Sequence, residues 1–187
     1  TAKDQAIQPP QSSAVKIELD RAGSLVMIPG PISQDGGTGD ALKRLAAEQA
    51  CLAQVIYFEA RGENEAGRRA VAEVILHRLA EGGHGNTICK VVYEGAGETF
   101  CQFTFACDGS LERPMNFEAW RSAQVLAARL MAGEVPADAT AGATYYHAVS
   151  VHPTWAPTKL RLVQIGHHVF YRDRMADIGP MFRGSLQ

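Results

Sequence analysis

The sequence predicts a mainly helical α+β domain with a small β-hairpin or sheet near its C-terminus. Three observations support this fold class. Apolar residues recur at helical spacing between residue 40 and Gly133, capping residues and glycines bracket these segments, and β-branched and aromatic residues concentrate in the last fifty positions. At 187 residues the chain is about one domain long, so it can bury a hydrophobic core without needing a metal site or disulfides for stability.

Residues 1–39 are predicted to be an N-terminal linker or tail, followed by one folded domain over 40–187. Breaks such as Pro9 and Gly36 interrupt this region, and its only apolar cluster is the short stretch 25–28. The chain has neither an initiator Met nor a signal-peptide pattern, so we expect a processed or trimmed product. Such a product is compatible with export.

Four helical segments are predicted, over 40–62, 64–82, 87–93 and 116–133. The last three begin with Asn or Thr, whose side chains can accept hydrogen bonds from first-turn N–H groups. Glycine ends the three long segments. The second segment is expected to be amphipathic. Residues 94–115 are predicted to form a long polar loop, and loops of this length in compact domains are often functional.

Strand-forming residues dominate two stretches near the C-terminus, 143–149 and 164–171, on either side of the proline-bearing connection 153–157. Their β-branched and aromatic composition predicts a small hairpin or two short strands.

Composition excludes two broad classes of function. The 18 Lys+Arg and 20 Asp+Glu residues give a net charge of −2, which lacks the basic footprint of a duplex-binding protein. No apolar run approaches the roughly 18 residues needed to span a bilayer. We therefore expect neither a nucleic-acid partner nor a transmembrane segment.

The four cysteines Cys51, Cys89, Cys101 and Cys107 are even in number and contain no CxxC pair. Disulfides are the favoured interpretation, with buried thiols and a zinc site as the alternatives. Cys101 and Cys107 could close a small loop, but spacing alone leaves all three connectivities open.

Glu59 is the most unusual acid, because it lies among apolar and aromatic residues in the last turn of the first helix. The carbonyl end of a helix and desolvation both raise a carboxyl pKa, which suits a general acid of a glycosidase. The alternative is a solvated surface acid paired with Arg61 or Arg129.

Other acids have simpler interpretations. Glu63 is expected to cap the helix that begins after Asn64, with a partnership to Arg61 or a role as second carboxylate as alternatives. Asp108 is expected to be a turn residue and is the other candidate second carboxylate. Glu73 is interpreted as an ion-pair or hydrogen-bond partner inside the second helix.

The late histidines His147, His152, His167 and His168 would suit a zinc amidase or peptidase if three of them converged. Their spacing matches no HExxH motif, and the sequence has no GxSxG, Walker A, GxGxxG or calcium-loop pattern. We therefore expect no metal site and no cofactor, and the candidate chemistry narrows to carboxylates.

Two segments, LAQVIYFEARGE at 52–63 and AVAEVILHR at 70–78, resemble the SleB-type cell wall hydrolases. The resemblance continues in the family's order over residues 50 to about 172, through ICKVVY, CQFTFACDG, ATYYHA and IGHHVFYR. Several linked motifs in order are far more specific than any one of them.

This resemblance implies a lysozyme-like, lytic-transglycosylase-related fold that acts on peptidoglycan glycan strands, with Glu59 at the position of the family's catalytic glutamate. The glutamate would protonate the bond between N-acetylmuramic acid and N-acetylglucosamine and then assist attack by the muramic acid's own 6-hydroxyl. A 1,6-anhydro end results and no second carboxylate is needed. Hydrolysis would instead require a partner about 5 to 9.5 Å away, for which Glu63 and Asp108 are the candidates.

Within the family pattern, Gln102, Thr104, Tyr145 and Tyr146 match positions expected to line the glycan groove. Amide and hydroxyl groups can bond sugar substituents, and aromatic faces can stack on pyranose rings. The alternative is that these four are core or turn residues. The cysteine-bearing version of the pattern resembles envelope proteins of Gram-negative bacteria, which implies a periplasmic location.

The leading hypothesis is therefore a lytic transglycosylase or muramidase of the cell envelope. The alternatives are a catalytically inactive peptidoglycan-binding module and a zinc-dependent cell wall amidase. The N-terminal tail predicts a tether to a membrane or to an envelope protein partner.

Overall fold

The computed structural model describes residues 15–19, 25–29, 38–98, 100–113, 115–134 and 138–174. Its elements, in chain order, are β1 Val15–Leu19, β2 Leu25–Pro29, α1 Thr38–Ala60, α2 Glu65–Glu81, α3 Ile88–Val92, α4 Phe117–Met131, β3 Tyr145–Ala148, β4 Leu160–Ile165 and β5 His168–Arg172. Short 3-10 turns occupy 104–106, 110–112 and 156–158.

Helix α1 is the centre of the fold, because α2, α3 and α4 all pack against it. Its residues Leu52, Val55 and Ile56 have no exposed surface. Burial of each such side chain contributes about 1.5–3 kcal/mol to the hydrophobic driving force. The long helix therefore fixes where its own C-terminal residues lie relative to the rest of the domain.

The ends of α2 lie where the sequence predicted them. The Asn64 side chain accepts a hydrogen bond of 3.0 Å from the Gly67 N–H, and Gly82, at φ 75°, ends the helix. The prediction that α2 is amphipathic is wrong, because almost every residue over 70–79 is buried, polar ones included. α2 is enclosed by neighbours rather than laid on the surface.

Side-chain caps also begin the other two predicted helices. Thr87 accepts from the Lys90 N–H at 3.1 Å, and Asn116 accepts from the Ala119 N–H at 2.9 Å. Both predicted starts are confirmed. The predicted loop 94–115 carries the two short 3-10 turns over 104–106 and 110–112.

The C-terminal sheet has three antiparallel strands in the order β3-β5-β4, and Tyr146 of β3 lies opposite Phe170 of β5. A small sheet was predicted, but the single strand expected over 164–171 is two strands. Gly166, at φ 56°, begins the turn that separates them. A non-glycine residue there would be strained, so Gly166 is a turn signal within a stretch whose composition predicted one strand.

The predicted linker contains a β-hairpin, which its Pro-, Gly- and Ser-rich composition did not predict. β1 and β2 pair antiparallel, with Ile17 opposite Met27, and β1 approaches α2. The first helix begins at Thr38, two residues before the expected boundary. Residues 1–14, 20–24 and 30–37 of the predicted linker lie outside the described residues, and its role as a tether remains a prediction.

Two disulfides confirm the favoured interpretation of the four cysteines. Cys51–Cys89 joins α1 to α3, and Cys101–Cys107 closes the small loop that the spacing allowed. The second bridge constrains the segment that faces the end of α1.

Among the described helices, none combines the length and apolar character needed to cross a bilayer.

Candidate active site

Glu59 is the penultimate residue of α1 and lines a cleft of about 340 Å³. Burial raises the pKa of Glu59, and a hydrogen bond from the Tyr146 hydroxyl only partly opposes the rise. The predicted raised pKa is therefore confirmed. A carboxyl group with this property stays protonated closer to neutral pH, as a general acid requires.

The alternative interpretation of Glu59 as a surface acid paired with arginine is wrong. Arg129 pairs with Glu65 at 3.0 Å and Glu134 at 3.3 Å, and the Arg61 guanidinium lies over the Tyr57 ring. The Glu59 carboxyl is bonded by Tyr146 instead.

Tyr146 reaches Glu59 from β3, and its hydroxyl donates to Glu59 Oε2 at 3.1 Å. Burial and the adjacent Glu59 carboxylate raise the pKa of Tyr146 well above its usual value, so the phenol remains a proton donor. Of the four predicted groove residues, Tyr146 is the one that contacts the candidate acid directly.

The cleft lies between the C-terminal end of α1 and the loop that follows Cys101. Phe58 and Phe105 stack at 4.7 Å between ring centroids and join the two walls. Its lining residues are Tyr57, Phe58, Glu59, Arg61, Thr104, Phe105, Asp108, Ser110, Arg113 and Met115. The predicted groove residue Thr104 is therefore placed with Glu59.

Gln102 is exposed and is not among the residues that line this cleft. In the amide orientation that matches donors to acceptors, its oxygen accepts from both terminal nitrogens of Arg78, at 3.1 and 3.2 Å. Gln102 therefore contacts a buried arginine, and it does not line the cleft.

Tyr145 is not brought to Glu59 either, because successive residues of a strand point to opposite faces of the sheet. Its hydroxyl donates to Asp173 Oδ2 at 3.0 Å, and its ring centroid lies 5.7 Å from that of Trp155. The family resemblance implied similar roles for Tyr145 and Tyr146, whereas the strand places their side chains on opposite faces of the sheet.

Glu63 is a buried anchor of the β4–β5 turn. Its Oε1 accepts from the backbone N–H of His167 at 3.1 Å and lies 3.1 Å from the same residue's ring Nδ1. A side chain at Gly67 or Gly166 would collide with the side chain of Glu63. Glu63 therefore binds the β4–β5 turn from beside the first turn of α2, its role as a capping acid stays a prediction, and it does not line the cleft.

Asp108 is a turn residue whose side chain also lines the cleft, and its role as a second carboxylate stays a prediction. Its Oδ1 accepts from the Ser110 N–H at 2.8 Å, which confirms the turn, and its side chain lines the same cleft as Glu59. Hydrogen bonding with Ser110 lowers the pKa of Asp108. Two carboxyl groups with oppositely shifted pKa values therefore share one cleft, a pattern typical of acid/base sites.

Arg78 is a site residue that sequence reasoning missed. Its Nε donates to the Thr144 carbonyl at 2.7 Å, and its guanidinium lies 5.7 Å from the Phe103 ring centroid. Burial lowers the pKa of Arg78 from its usual value. The signal available in the sequence was an arginine inside the apolar stretch 70–79. In the structure, the Arg78 side chain joins the loop closed by Cys101–Cys107 to the start of β3.

Glu73 lies in a separate buried cluster. Burial and the Asp138 carboxylate raise the pKa of Glu73 to about 7, while the Thr140 N–H donates to its Oε2 at 3.1 Å. Arg69 Nε lies 3.4 Å from its Oε1. Glu73 is thus an interior ion-pair and hydrogen-bond partner, as the sequence indicated.

The late histidines do not form one cluster. His147 Nε2 lies 2.9 Å from the Tyr171 hydroxyl, whereas His167 and His168 both approach Glu63. Within the described parts of the chain, no group of three or more His, Cys, Asp or Glu side chains is arranged to hold a metal ion.

Comparison with known proteins gives the family. The family model described as cell wall hydrolase matches residues 62–171 of the chain. The chain belongs to this cell wall hydrolase family. The match begins three residues after Glu59 and includes both the loop of the cleft and the strand that carries Tyr146.

Curated relatives of this cell wall hydrolase include spore cortex-lytic enzymes. That of Halalkalibacterium halodurans is 33% identical over 120 residues, which are 64% of this chain and 33% of the relative. That of Bacillus subtilis strain 168 is 31% identical over 119 residues, 64% of this chain and 35% of the relative. The aligned region spans about a third of these relatives.

Solved structures confirm the predicted fold class for this family member. The catalytic domain of the germination-specific lytic transglycosylase SleB from Bacillus anthracis superimposes with a TM-score of 0.52 at 26% identity, covering 75% of this chain and all of that one. The Bacillus cereus SleB catalytic domain gives a TM-score of 0.54 at 26% identity, covering 76% and 98%.

Proposed function

We propose that this domain cleaves the bond between N-acetylmuramic acid and N-acetylglucosamine in peptidoglycan as a lytic transglycosylase, with Glu59 as general acid and base. The observation that carries the proposal is a carboxyl group of raised pKa, held by Tyr146, in an open cleft. The likeness to SleB catalytic domains supports it.

The reaction needs one carboxyl group that changes its protonation state twice. Protonated Glu59 donates its proton to the glycosidic oxygen as the bond from that oxygen to C1 of the muramic acid breaks. The resulting carboxylate accepts the proton of the muramic acid 6-hydroxyl as that oxygen bonds to C1. The products are a free 4-hydroxyl on N-acetylglucosamine and a 1,6-anhydromuramic acid end, with Glu59 protonated again.

Tyr146 suits both halves of this cycle. Its hydrogen bond to Oε2 stabilises the carboxylate that exists between the two proton transfers, while burial raises the pKa of Glu59 and so favours the protonated acid. Burial and the hydrogen bond shift the Glu59 pKa in opposite directions. Their balance allows the same carboxyl group first to donate a proton and then to accept one.

Asp108 has a supporting role in the same proposal. As an ionised carboxylate on the cleft wall, it would stabilise the positive charge that develops at C1. If water rather than the 6-hydroxyl were the nucleophile, Asp108 would be the residue to activate it.

The test is mass spectrometry of soluble products from purified peptidoglycan treated with the wild type, Glu59→Gln and the control Glu118→Gln. Glu118 is an exposed acid in the first turn of α4. We expect 1,6-anhydromuramic ends from the wild type and the control and none from Glu59→Gln, with or without a chelator. Reducing muramic ends would indicate hydrolysis, whereas binding to peptidoglycan without products would indicate a binding module. Loss of activity with chelator alone would indicate the zinc amidase.

We also propose that the domain acts in the cell envelope, in the periplasm of its host. Two disulfides, one of them in the core, form and persist in oxidising compartments. In this proposal residues 1–39 tether the domain to a membrane or an envelope partner. Removal of residues 1–14 should leave cleavage of purified peptidoglycan unchanged while releasing the protein from the envelope fraction.

A further inference from the structure

Two guanidinium groups lie on the wall of the Glu59 cleft. Arg61 is in the turn that follows α1, and Arg113 follows the 3-10 turn over 110–112. Both side chains are exposed. They reach the cleft from two elements that the Phe58–Phe105 stack holds together.

Among the described residues, neither guanidinium forms an ion pair with a carboxylate, although the Arg113 charge contributes to the lowered pKa of Asp108. Arg61 lies 5.2 Å from the Tyr57 ring centroid and forms no ion pair with any described residue. Arg113 Nη2 donates to the backbone carbonyl of Asp108 at 3.3 Å, which leaves its other N–H groups available. Arg129, by contrast, forms ion pairs with two carboxylates, so fewer of its N–H groups are available to a ligand.

The cleft is therefore electropositive while Glu59 is protonated. Arg61 and Arg113 supply two positive charges, and Asp108 supplies the one negative charge among the lining residues. The whole chain has a net charge of −2, so the sign of the cleft is opposite to that of the protein. An anionic group on a substrate is attracted to this wall.

The proposed substrate carries the matching chemistry. A polymer of N-acetylglucosamine is neutral, whereas each muramic acid adds a lactyl group that ends in a carboxylate or continues into a peptide stem bearing carboxylates. Arginine recognises carboxylates through paired N–H donors. Resting on the proposed function, we propose that Arg61 and Arg113 form a carboxylate subsite that selects muramic-acid-containing strands over neutral glycans.

The experiment measures equilibrium binding of three ligands to the full chain carrying Glu59→Gln, so that no ligand is consumed. The ligands are neutral chitohexaose, amidase-treated glycan strands with free lactyl carboxylates, and strands that keep their peptide stems. In this background we compare Arg61→Gln, Arg113→Gln and the double variant. The matched control is Arg121→Gln, an exposed arginine of α4 that does not line the cleft.

We expect each single substitution to weaken binding of the carboxylate-bearing strands by about threefold and the double variant by about tenfold, as for partly exposed ion pairs. Chitohexaose affinity and all affinities of the control should stay unchanged. If affinity falls for both the amidase-treated and the stem-bearing strands, the lactyl carboxylate is the ligand of the two arginines. If affinity falls only for the stem-bearing strands, a carboxylate of the peptide stem is the ligand.

For variants that keep the melting temperature of the parent protein, two results would overturn the subsite. One is an equal loss of affinity for all three ligands, and the other is no loss of affinity for any of them. Failure of the proposed function has a different signature. In that case protein with wild-type Glu59 releases no product from peptidoglycan, yet the charge-selective binding pattern is still measured.

Discussion

The Tyr146 hydroxyl donates a hydrogen bond of 3.1 Å to Glu59 Oε2, across 87 positions of sequence. The bond joins the C-terminal end of α1 to β3, an edge strand of the C-terminal sheet. Because the acid and its donor belong to elements that pack separately, the candidate site exists only once the sheet has docked on the helices.

Replacement of Tyr146 by Phe keeps the ring and removes the donor. Since this hydrogen bond lowers the Glu59 pKa against the effect of burial, its loss raises that pKa further. We expect kcat on peptidoglycan to fall about tenfold, corresponding to about 1.4 kcal/mol, a typical value for a hydrogen bond to a charged group. The alkaline limb of the kcat profile should move to higher pH.

Tyr145→Phe is the matched control for this experiment, because Tyr145 precedes Tyr146 on the same strand and bonds Asp173 on the opposite face. Its pH profile should coincide with that of the wild type. An unchanged profile in Tyr146→Phe would contradict the assigned hydrogen bond, and an equal shift in both variants would point to a general distortion of β3.

Local signals in the sequence were sufficient to predict the helices but not all of the site. Asn64, Thr87 and Asn116 each accept a hydrogen bond within the next three residues, so their capping role depends only on neighbouring sequence. Glu59 stood out for the same reason, since its apolar neighbours desolvate it. Local sequence therefore predicts helix starts and one perturbed acid.

Contacts between distant segments were not predictable from pattern. Arg78 and Gln102 belong to different segments of the chain, and their contact depends on how α2 packs against the loop after Cys101, which composition does not reveal. Glu63 was interpreted through the helix that follows it, whereas its partner His167 is 104 positions away. The split at Gly166 was missed because Ile165 before it and Val169, Phe170 and Tyr171 after it favour strand.

Glu63 is predicted to act in folding rather than in chemistry. Glu63→Ala removes the acceptor of the His167 N–H, and because that N–H is at the surface, water can replace the lost acceptor. The free energy of unfolding should therefore fall by about 1 kcal/mol. Glu63→Gln retains an acceptor oxygen and should lose less. Chemical denaturation measures both variants.

Activity measured in the same two variants separates structure from catalysis. We expect kcat of folded Glu63→Gln to remain within about threefold of the wild type, because Glu63 does not line the cleft. A loss of hundredfold or more without any change in stability would instead identify Glu63 as a catalytic carboxylate.

The two disulfides are predicted to have separable effects. Cys51–Cys89 closes a loop of 38 residues in the core, so its replacement by alanine pairs should cost about 4 kcal/mol of stability by the chain-entropy estimate. Cys101–Cys107 closes only six residues and should cost about 2 kcal/mol.

The smaller loop carries Thr104 and Phe105 of the cleft, so its opening should raise KM for peptidoglycan in protein that is still folded. Thermal melts and steady-state kinetics of the two double variants provide the comparison. A KM effect from the core pair alone, measured below both melting temperatures, would contradict this division of roles.

Buried Glu73 is predicted to make stability depend on pH. Its pKa rises from 4.5 to about 7 in the folded protein, so the folded state binds the proton more tightly than the unfolded chain does. The stabilisation is complete below pH 4.5 and is lost as pH rises through 7. Glu73→Gln, which cannot ionise, should equal the wild type near pH 5 and exceed its stability at pH 8 by on the order of 2 kcal/mol.

The difference between wild type and variant isolates this effect from opposing titrations. Burial lowers the pKa of His168, so that residue favours the folded state more as pH rises and partly masks Glu73 in the wild type alone. Glu81→Gln, an exposed acid at the end of the same helix, serves as control and should follow the wild type at both pH values. If Glu73→Gln were instead less stable at pH 8 than at pH 5 by as much as the wild type, Glu73 would be ionised throughout this range. Arg69, 3.4 Å away, would then be the partner that stabilises its charge.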